Sequence, residues 1–142
     1  MKLYNYWRSS ASWRVRIALE LKGIPYEYAP IHLLRDGGEQ HGDEHRARNP
    51  MRQVPTLEFT ENGVTRRLSQ SVAILEFLEE RFPAPALLPA DVWLRARTRQ
   101  LVETVNSGIQ PLQNLEPMRY VREELKGDAA AWTRHFIQRG MT

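Results

Sequence analysis

The sequence predicts an α/β layer followed by a second part built only of helices. Three observations carry this. Strand-like alternation and helix-like spacing succeed one another across residues 1–82, prolines cluster at 83–89, and beyond them only helical spacing remains.

Residues 2–6 alternate and are rich in β-formers, so they read as a strand. Ser9-Ser10-Ala11-Ser12 then opens a helix in which Val15, Ala18, Leu19 and Lys22 share one face, and Gly23 closes it. Residues 26–33 form a second strand; Pro30 within it cannot donate to a ladder, which assigns it to a sheet edge. Residues 35–48 are polar and carry Gly37, Gly38 and Gly42, the composition of a loop with one short helix. Residues 56–59 and 64–68 are short strands joined through Asn62-Gly63, a tight-hairpin signal. Ser71 is expected to cap an amphipathic helix bearing Val72, Leu75, Phe77, Leu78 and Phe82. The order βαβ-ββα with one edge strand is that of a thioredoxin-like layer.

Pro83, Pro85 and Pro89 make residues 83–90 a stiff linker. In residues 91–142, Leu94, Leu101, Val105, Ile109 and Leu112 follow helical steps, with Pro111 expected to kink that helix and Pro117 to kink or restart it. Asp128 can cap a last helix that carries Trp132, Phe136 and Ile137.

Composition excludes several classes of function. The chain has 142 residues and no cysteine, so it offers neither a disulfide nor a thiol of its own, and any sulfur chemistry must arrive on a ligand. Its 17 arginines and three lysines are scattered among acids, unlike the concentrated basic face of a nucleic-acid binder. No run approaches the roughly 20 apolar residues of a membrane span, and the N-terminus lacks the pattern of a secretory leader. A cytoplasmic protein is expected. The segment His41-Gly42-Asp43-Glu44-His45 matches the H-x-x-E-H pattern in form, but Gly42 disfavours the helix and no third ligand presents itself; no metal is expected.

At Ser9-Ser10-Ala11-Ser12-Trp13-Arg14-Val15-Arg16-Ile17-Ala18-Leu19 the sequence resembles the zeta-class glutathione transferases, a family that includes the maleylacetoacetate isomerases. The resemblance continues through Asn49-Pro50-Met51-Arg52-Gln53-Val54-Pro55-Thr56-Leu57, Gln70-Ser71-Val72-Ala73-Ile74 and Gly108-Ile109-Gln110-Pro111-Leu112-Gln113-Asn114-Leu115. It implies a thioredoxin-like N-terminal domain and a partial all-α glutathione transferase C-terminal domain, cut short relative to the family. Ala11 stands where many members have cysteine.

The resemblance also implies glutathione as cofactor, a small acidic enedione substrate and a homodimer. Ser9 and Ser10 would otherwise be simple helix caps; the family role gives Ser9 a hydrogen bond to the glutathione sulfur, with Ser10 and Ala11 beside it. A charge-assisted hydrogen bond is worth about 1.5–3 kcal/mol and a helix N-terminus about 0.3–2 kcal/mol, against about 1.4 kcal/mol per unit of thiol acidity. These suffice to ionise a thiol without a cysteine at position 11. Val54-Pro55 reads alone as an ordinary trans turn; by resemblance it is cis, and the Val54 backbone pairs with the cysteinyl backbone of glutathione. Gln70 and Ser71 are expected at a helix start that receives the γ-glutamyl carboxylate. Gln40 is carried over as a contact to the glycyl end. Gln110 and Asn114, four apart, are expected on one helix face toward ligand or dimer. Arg14 is either a surface residue or the group that orients an acidic substrate. The implied reaction is isomerisation of maleylacetoacetate to fumarylacetoacetate in tyrosine and phenylalanine breakdown, with transferase activity on small electrophiles beside it. The alternative is a truncated glutathione-binding or interaction module with weak or no catalysis. On either reading the shortened last helix is expected to leave Trp132 and Phe136 poorly covered.

Overall fold

A computed structural model describes residues 1–141. The chain divides into two compact units, Met1–Leu87 and a second from Leu88 onward.

In the first unit, β1 (Lys2–Asn5) leads to α1 (Ser10–Leu21) and β2 (Glu27–Pro30); α2 (Asp43–Arg48) precedes the hairpin β3 (Thr56–Glu61) and β4 (Val64–Ser69), and α3 (Ser71–Arg81) closes the layer. The sheet order is β2-β1-β3-β4, with β1 parallel to β2 and antiparallel to β3, and β3 antiparallel to β4. Pro30 lies on an edge strand, where a missing N–H costs no ladder bond. Asn62 and Gly63 both have positive φ (50° and 74°), the geometry of a type I′ hairpin turn.

Helix α1 ends as its sequence dictates. Gly23 takes φ +63°, its N–H donates to the Glu20 carbonyl, and the Ile24 N–H reaches back to the Leu19 carbonyl, a Schellman closure. Val15, Ala18 and Leu19 of α1 pack with Leu3, Leu57, Ile74 and Leu78 into one apolar core. Lys22, on the same stripe, is also buried, and its side chain is held by charge. Nζ pairs with Glu79 at 2.7 Å and donates to the carbonyls of Phe82 (2.7 Å) and Pro85 (2.9 Å). All three ammonium protons thereby find acceptors, the condition for burying a lysine. Glu79 in turn accepts the Leu87 N–H, so residues 82–87 are fastened to the layer.

Two expectations in this unit are corrected. Residues 35–48 are not mainly loop: they hold two 3-10 turns, Arg35–Gly37 and Glu39–His41, before α2. Ser71 is not the cap of α3 but its first residue. The cap is Gln70, in a left-handed conformation (φ 69°) without a side-chain cap bond, because the chain turns sharply off β4 there.

The second unit contains α4 (Val92–Asn106), α5 (Leu115–Glu123) and α6 (Ala129–Met141). The helix expected to run through Ile109 and Leu112 stops at Asn106, and 107–114 form turns. Ser107 and Gly108 close α4, and Pro111 has no N–H with which to extend it. Pro117 lies in the first turn of α5, where its missing N–H costs nothing. Asp128 accepts the N–H groups of Ala130 (2.8 Å) and Ala131 (3.0 Å), which caps α6 and holds the carboxyl below its ordinary pKa. Trp132 and Phe136 are not left bare. Both are half-buried with ring centroids 4.8 Å apart, and the indole N–H donates to the Leu112 carbonyl at 2.7 Å.

Candidate functional site

Strand register gathers the candidate residues of the first unit. Tyr4 of β1 is opposite Thr56 of β3, which is opposite Ser69 of β4. Ser9 follows β1, Val54-Pro55 precedes Thr56, and Gln70-Ser71 follow Ser69, so the three segments leave the sheet at one end. Because β2 runs parallel to β1, with Pro30 opposite Asn5, residues 31–41 emerge at that end too.

Ser9 is the N-cap of α1, and its Oγ accepts the Ser12 N–H at 3.2 Å. The capping role is thus real, and it leaves the hydroxyl proton to be donated outward. Ser10 is the exposed first residue of α1, and Ala11 follows half-buried. Arg14, in the second turn, is half-buried and engaged within the protein.

The Val54–Pro55 peptide is cis. The Val54 N–H and C=O make no bond to another backbone group among the described residues, which leaves both for an extended ligand. The segment before them is tightly built. The Asn49 amide donates to the Gln53 carbonyl (2.9 Å) while its Oδ1 accepts the Met51 N–H (3.1 Å). The buried His45 also engages the Gln53 carbonyl through Nε2, at 3.0 Å. A carbonyl can only accept, so Nε2 carries the proton. Desolvation, the largest influence, pushes the His45 pKa down. His45 therefore serves as a support for the cis-proline segment. Sequence reasoning missed both supports, although Asn49 opens the motif that contains Val54-Pro55 and could have been singled out from it.

At α3, the carbonyl of Gln70 accepts the first intrahelical bond, from Ile74, and the N–H groups of the first turn are the natural seat of an anion. Gln40 is nine-tenths buried; its Nε2 donates to the Leu33 carbonyl at 3.4 Å, and its Oε1 has no protein partner.

Gln110 and Asn114 are not on one helix face. Both lie in the turns between α4 and α5, and the Asn114 Oδ1 accepts the Leu115 N–H at 2.8 Å to cap α5. Among the described residues no group of three or more His, Asp or Glu side chains could hold a metal ion, and no helix is long and apolar enough to cross a membrane.

Comparison with known proteins agrees with this geometry. The profile of the glutathione S-transferase N-terminal domain matches residues 8–81. The chain is 54% identical over 138 residues to a probable maleylacetoacetate isomerase 2 of Drosophila melanogaster, covering 97% of this chain and 58% of that protein. It is 54% identical over 122 residues to the maleylacetoacetate isomerase of Rattus norvegicus, covering 86% of this chain and 55% of the relative. A solved maleylacetoacetate isomerase from Anaeromyxobacter dehalogenans 2CP-1 with glutathione in its active site superposes with a TM-score of 0.85 at 57% identity, over 98% of this chain and 63% of that one. A holo maleylpyruvate isomerase of the zeta class gives 0.88 at 45% identity, over 99% and 65%. The chain thus spans about three-fifths of the length of the relatives it matches. With the matching profile spanning the thioredoxin-like layer, and Ser9, Val54-Pro55, Gln70-Ser71 and the Gln40 segment leaving one end of its sheet, the chain belongs to the glutathione S-transferase family, with zeta-class isomerases among its relatives.

Proposed function

We propose that this chain binds glutathione and, as part of a zeta-class enzyme, isomerises maleylacetoacetate to fumarylacetoacetate in tyrosine and phenylalanine breakdown. The observation that carries the reading is Ser9, whose hydroxyl stands at the mouth of α1 with its acceptor side held by Ser12 and its proton to give. Glutathione, when bound, would supply the thiolate nucleophile for a cis double bond conjugated to carbonyl groups.

The residues at the end of the sheet fit that group. Ser9 donates to the sulfur, with Ser10 and Ala11 lining it and the α1 N-terminus favouring negative charge. Val54 pairs its backbone N–H and C=O with the cysteinyl unit. The first turn of α3, with Gln70 and Ser71, receives the γ-glutamyl carboxylate. Gln40 meets the glycyl end by family resemblance; its buried, unpartnered Oε1 is an acceptor for the glycyl N–H. Arg14 orients the acidic substrate; for it the family resemblance is the support. A cytoplasmic homodimer completes the reading, and transferase activity on small electrophiles accompanies it.

Calorimetric titration with glutathione and turnover of a cis-enedione test the proposal together. Ser9→Ala should cut turnover by about a hundredfold, the loss of one charge-assisted hydrogen bond of about 1.5–3 kcal/mol. It should also move thiolate formation on bound glutathione, followed by ultraviolet absorbance, to higher pH. No heat of association, or a variant with unchanged turnover and thiolate titration, would sink it. A second reading, a glutathione-binding module without turnover, is favoured by one observation: α4 and α6 contain no buried residue. Binding without turnover is its signature.

A further inference from the structure

The segment that carries Gln40 is organised around one imidazole. His32 Nδ1 accepts two backbone N–H groups, from Leu34 at 3.2 Å and Arg35 at 2.9 Å. Since Nδ1 accepts, the ring proton is on Nε2. The main chain of the same residue holds the far end of the segment: the His32 N–H donates to the Glu39 carboxylate at 2.6 Å, and the His32 carbonyl accepts the Glu39 N–H at 2.8 Å. The Arg35 guanidinium also reaches Glu39, at 3.5 Å. The imidazole is seated edge-on against the ring of the buried Tyr6, centroids 5.1 Å apart, which ties it to the chain just past β1.

Two bonds pass this order to Gln40. By holding Leu34 and Arg35, the imidazole fixes the Leu33 carbonyl, which accepts Gln40 Nε2. The His32 main chain, by clamping Glu39, fixes the residue next to Gln40. The glutamine amide then lies against the backbone of Gly38, where a Cβ would come within 2.5 Å of Nε2. Gln40 is thus held through its Nε2, which also lies 3.1 Å from His41 Nε2, with Oε1 lacking a protein partner.

We propose that His32 is a positioning residue for the ligand's glycyl end: its Nδ1 folds residues 32–41 into the turn that presents Gln40. The proposal rests on the reading of Gln40 as a glycyl contact. An asparagine at position 32 can replace the imidazole, because its Oδ1 accepts the N–H two residues on in an Asx turn. A phenylalanine retains the ring against Tyr6 but has no acceptor.

The test compares two ligands by calorimetry on the full chain: glutathione, and γ-glutamylcysteine, which lacks the glycyl residue. Wild type should bind glutathione about five- to tenfold tighter than the dipeptide, the upper scale of one neutral hydrogen bond from the glycyl N–H to Gln40 Oε1, and Q40A should erase the difference. H32F should weaken glutathione about fivefold and leave the dipeptide within about twofold, while H32N restores wild-type values for both. H32F binding both ligands as wild type does would overturn the proposal. So would H32F and H32N weakening both ligands alike, since that is a loss of fold rather than of position. Equal binding of the two ligands by wild type would instead refute the Gln40 contact on which the proposal rests. Circular dichroism of each variant establishes that it is folded, and where H32F is not, H32A, which also lacks the acceptor, takes its place with the same expected and overturning results.

Discussion

The two units of this chain are built from similar proportions of apolar residues yet bury them very differently. In the first, Leu3, Leu19, Leu57, Ile74 and Leu78 are wholly inaccessible to solvent, and every strand except the edges has neighbours on both sides. In the second, Ile109 and Val121 are the only buried apolar residues among those described, while Val92, Trp93, Leu101 and Val105 stand exposed. A sheet with helices closes a core with few residues. Three amphipathic helices expose their stripes unless more helices meet them. The contrast teaches that the first unit carries its own stability, whereas the second is held by caps and a few ring contacts.

The largest test of that contrast removes the buried cation of the first unit. Lys22→Met takes the buried cation from Glu79, which keeps the Leu87 N–H, and the Lys22 donor from two carbonyls, and should cost about 3–5 kcal/mol in chemical denaturation. A loss under about 1 kcal/mol, the scale of a surface pair, would show that the ammonium is not a structural keystone. Next in size is a matched pair of leucines. Leu57→Ala should cost about 2–5 kcal/mol, while Leu101→Ala on the exposed face of α4 should stay within about 0.5 kcal/mol. Similar losses at both sites would erase the distinction between the units. The smallest effect is set by pH. Burial lowers the His45 pKa in the folded state, so below the ordinary histidine range the unfolded chain binds more protons. The contribution is complete above that range and is lost as pH falls through it. Stability measured from about pH 7.5 to about pH 5.5 should therefore decline more steeply for wild type than for His45→Gln. Parallel slopes would remove His45 from the account.

Much of the first unit was legible because local chemistry and global fold agree there. Gly23, Pro30 and Asn62-Gly63 each allow few backbone solutions, and each took the one expected. The α1 stripe named its own core. What escaped were features decided by neighbours distant in sequence. The buried partners of Lys22 lie about sixty residues on. The cap at Gln70 follows from the turn off β4 rather than from serine's preference for caps. In the second unit, hydrophobic spacing continued past Asn106, although Gly108 and Pro111 together dismantle the helix that the spacing suggested. For the candidate site, the family resemblance pointed to Ser9, Val54 and Ser71, but not to His45 or His32, and gave Asn49 no role of its own. Those three act on the backbone of other residues, a role that leaves no pattern in a single chain.

The Ser12 N–H on Ser9 Oγ has a further consequence. A free serine hydroxyl swings among three staggered directions and surrenders that freedom when it meets a ligand. Here a helix amide occupies one lone pair during folding, so the remaining O–H vector is restricted before any anion arrives. Alanine scanning at this position therefore measures two losses at once, a helix end and a directed proton, and only a residue able to accept without donating would separate them.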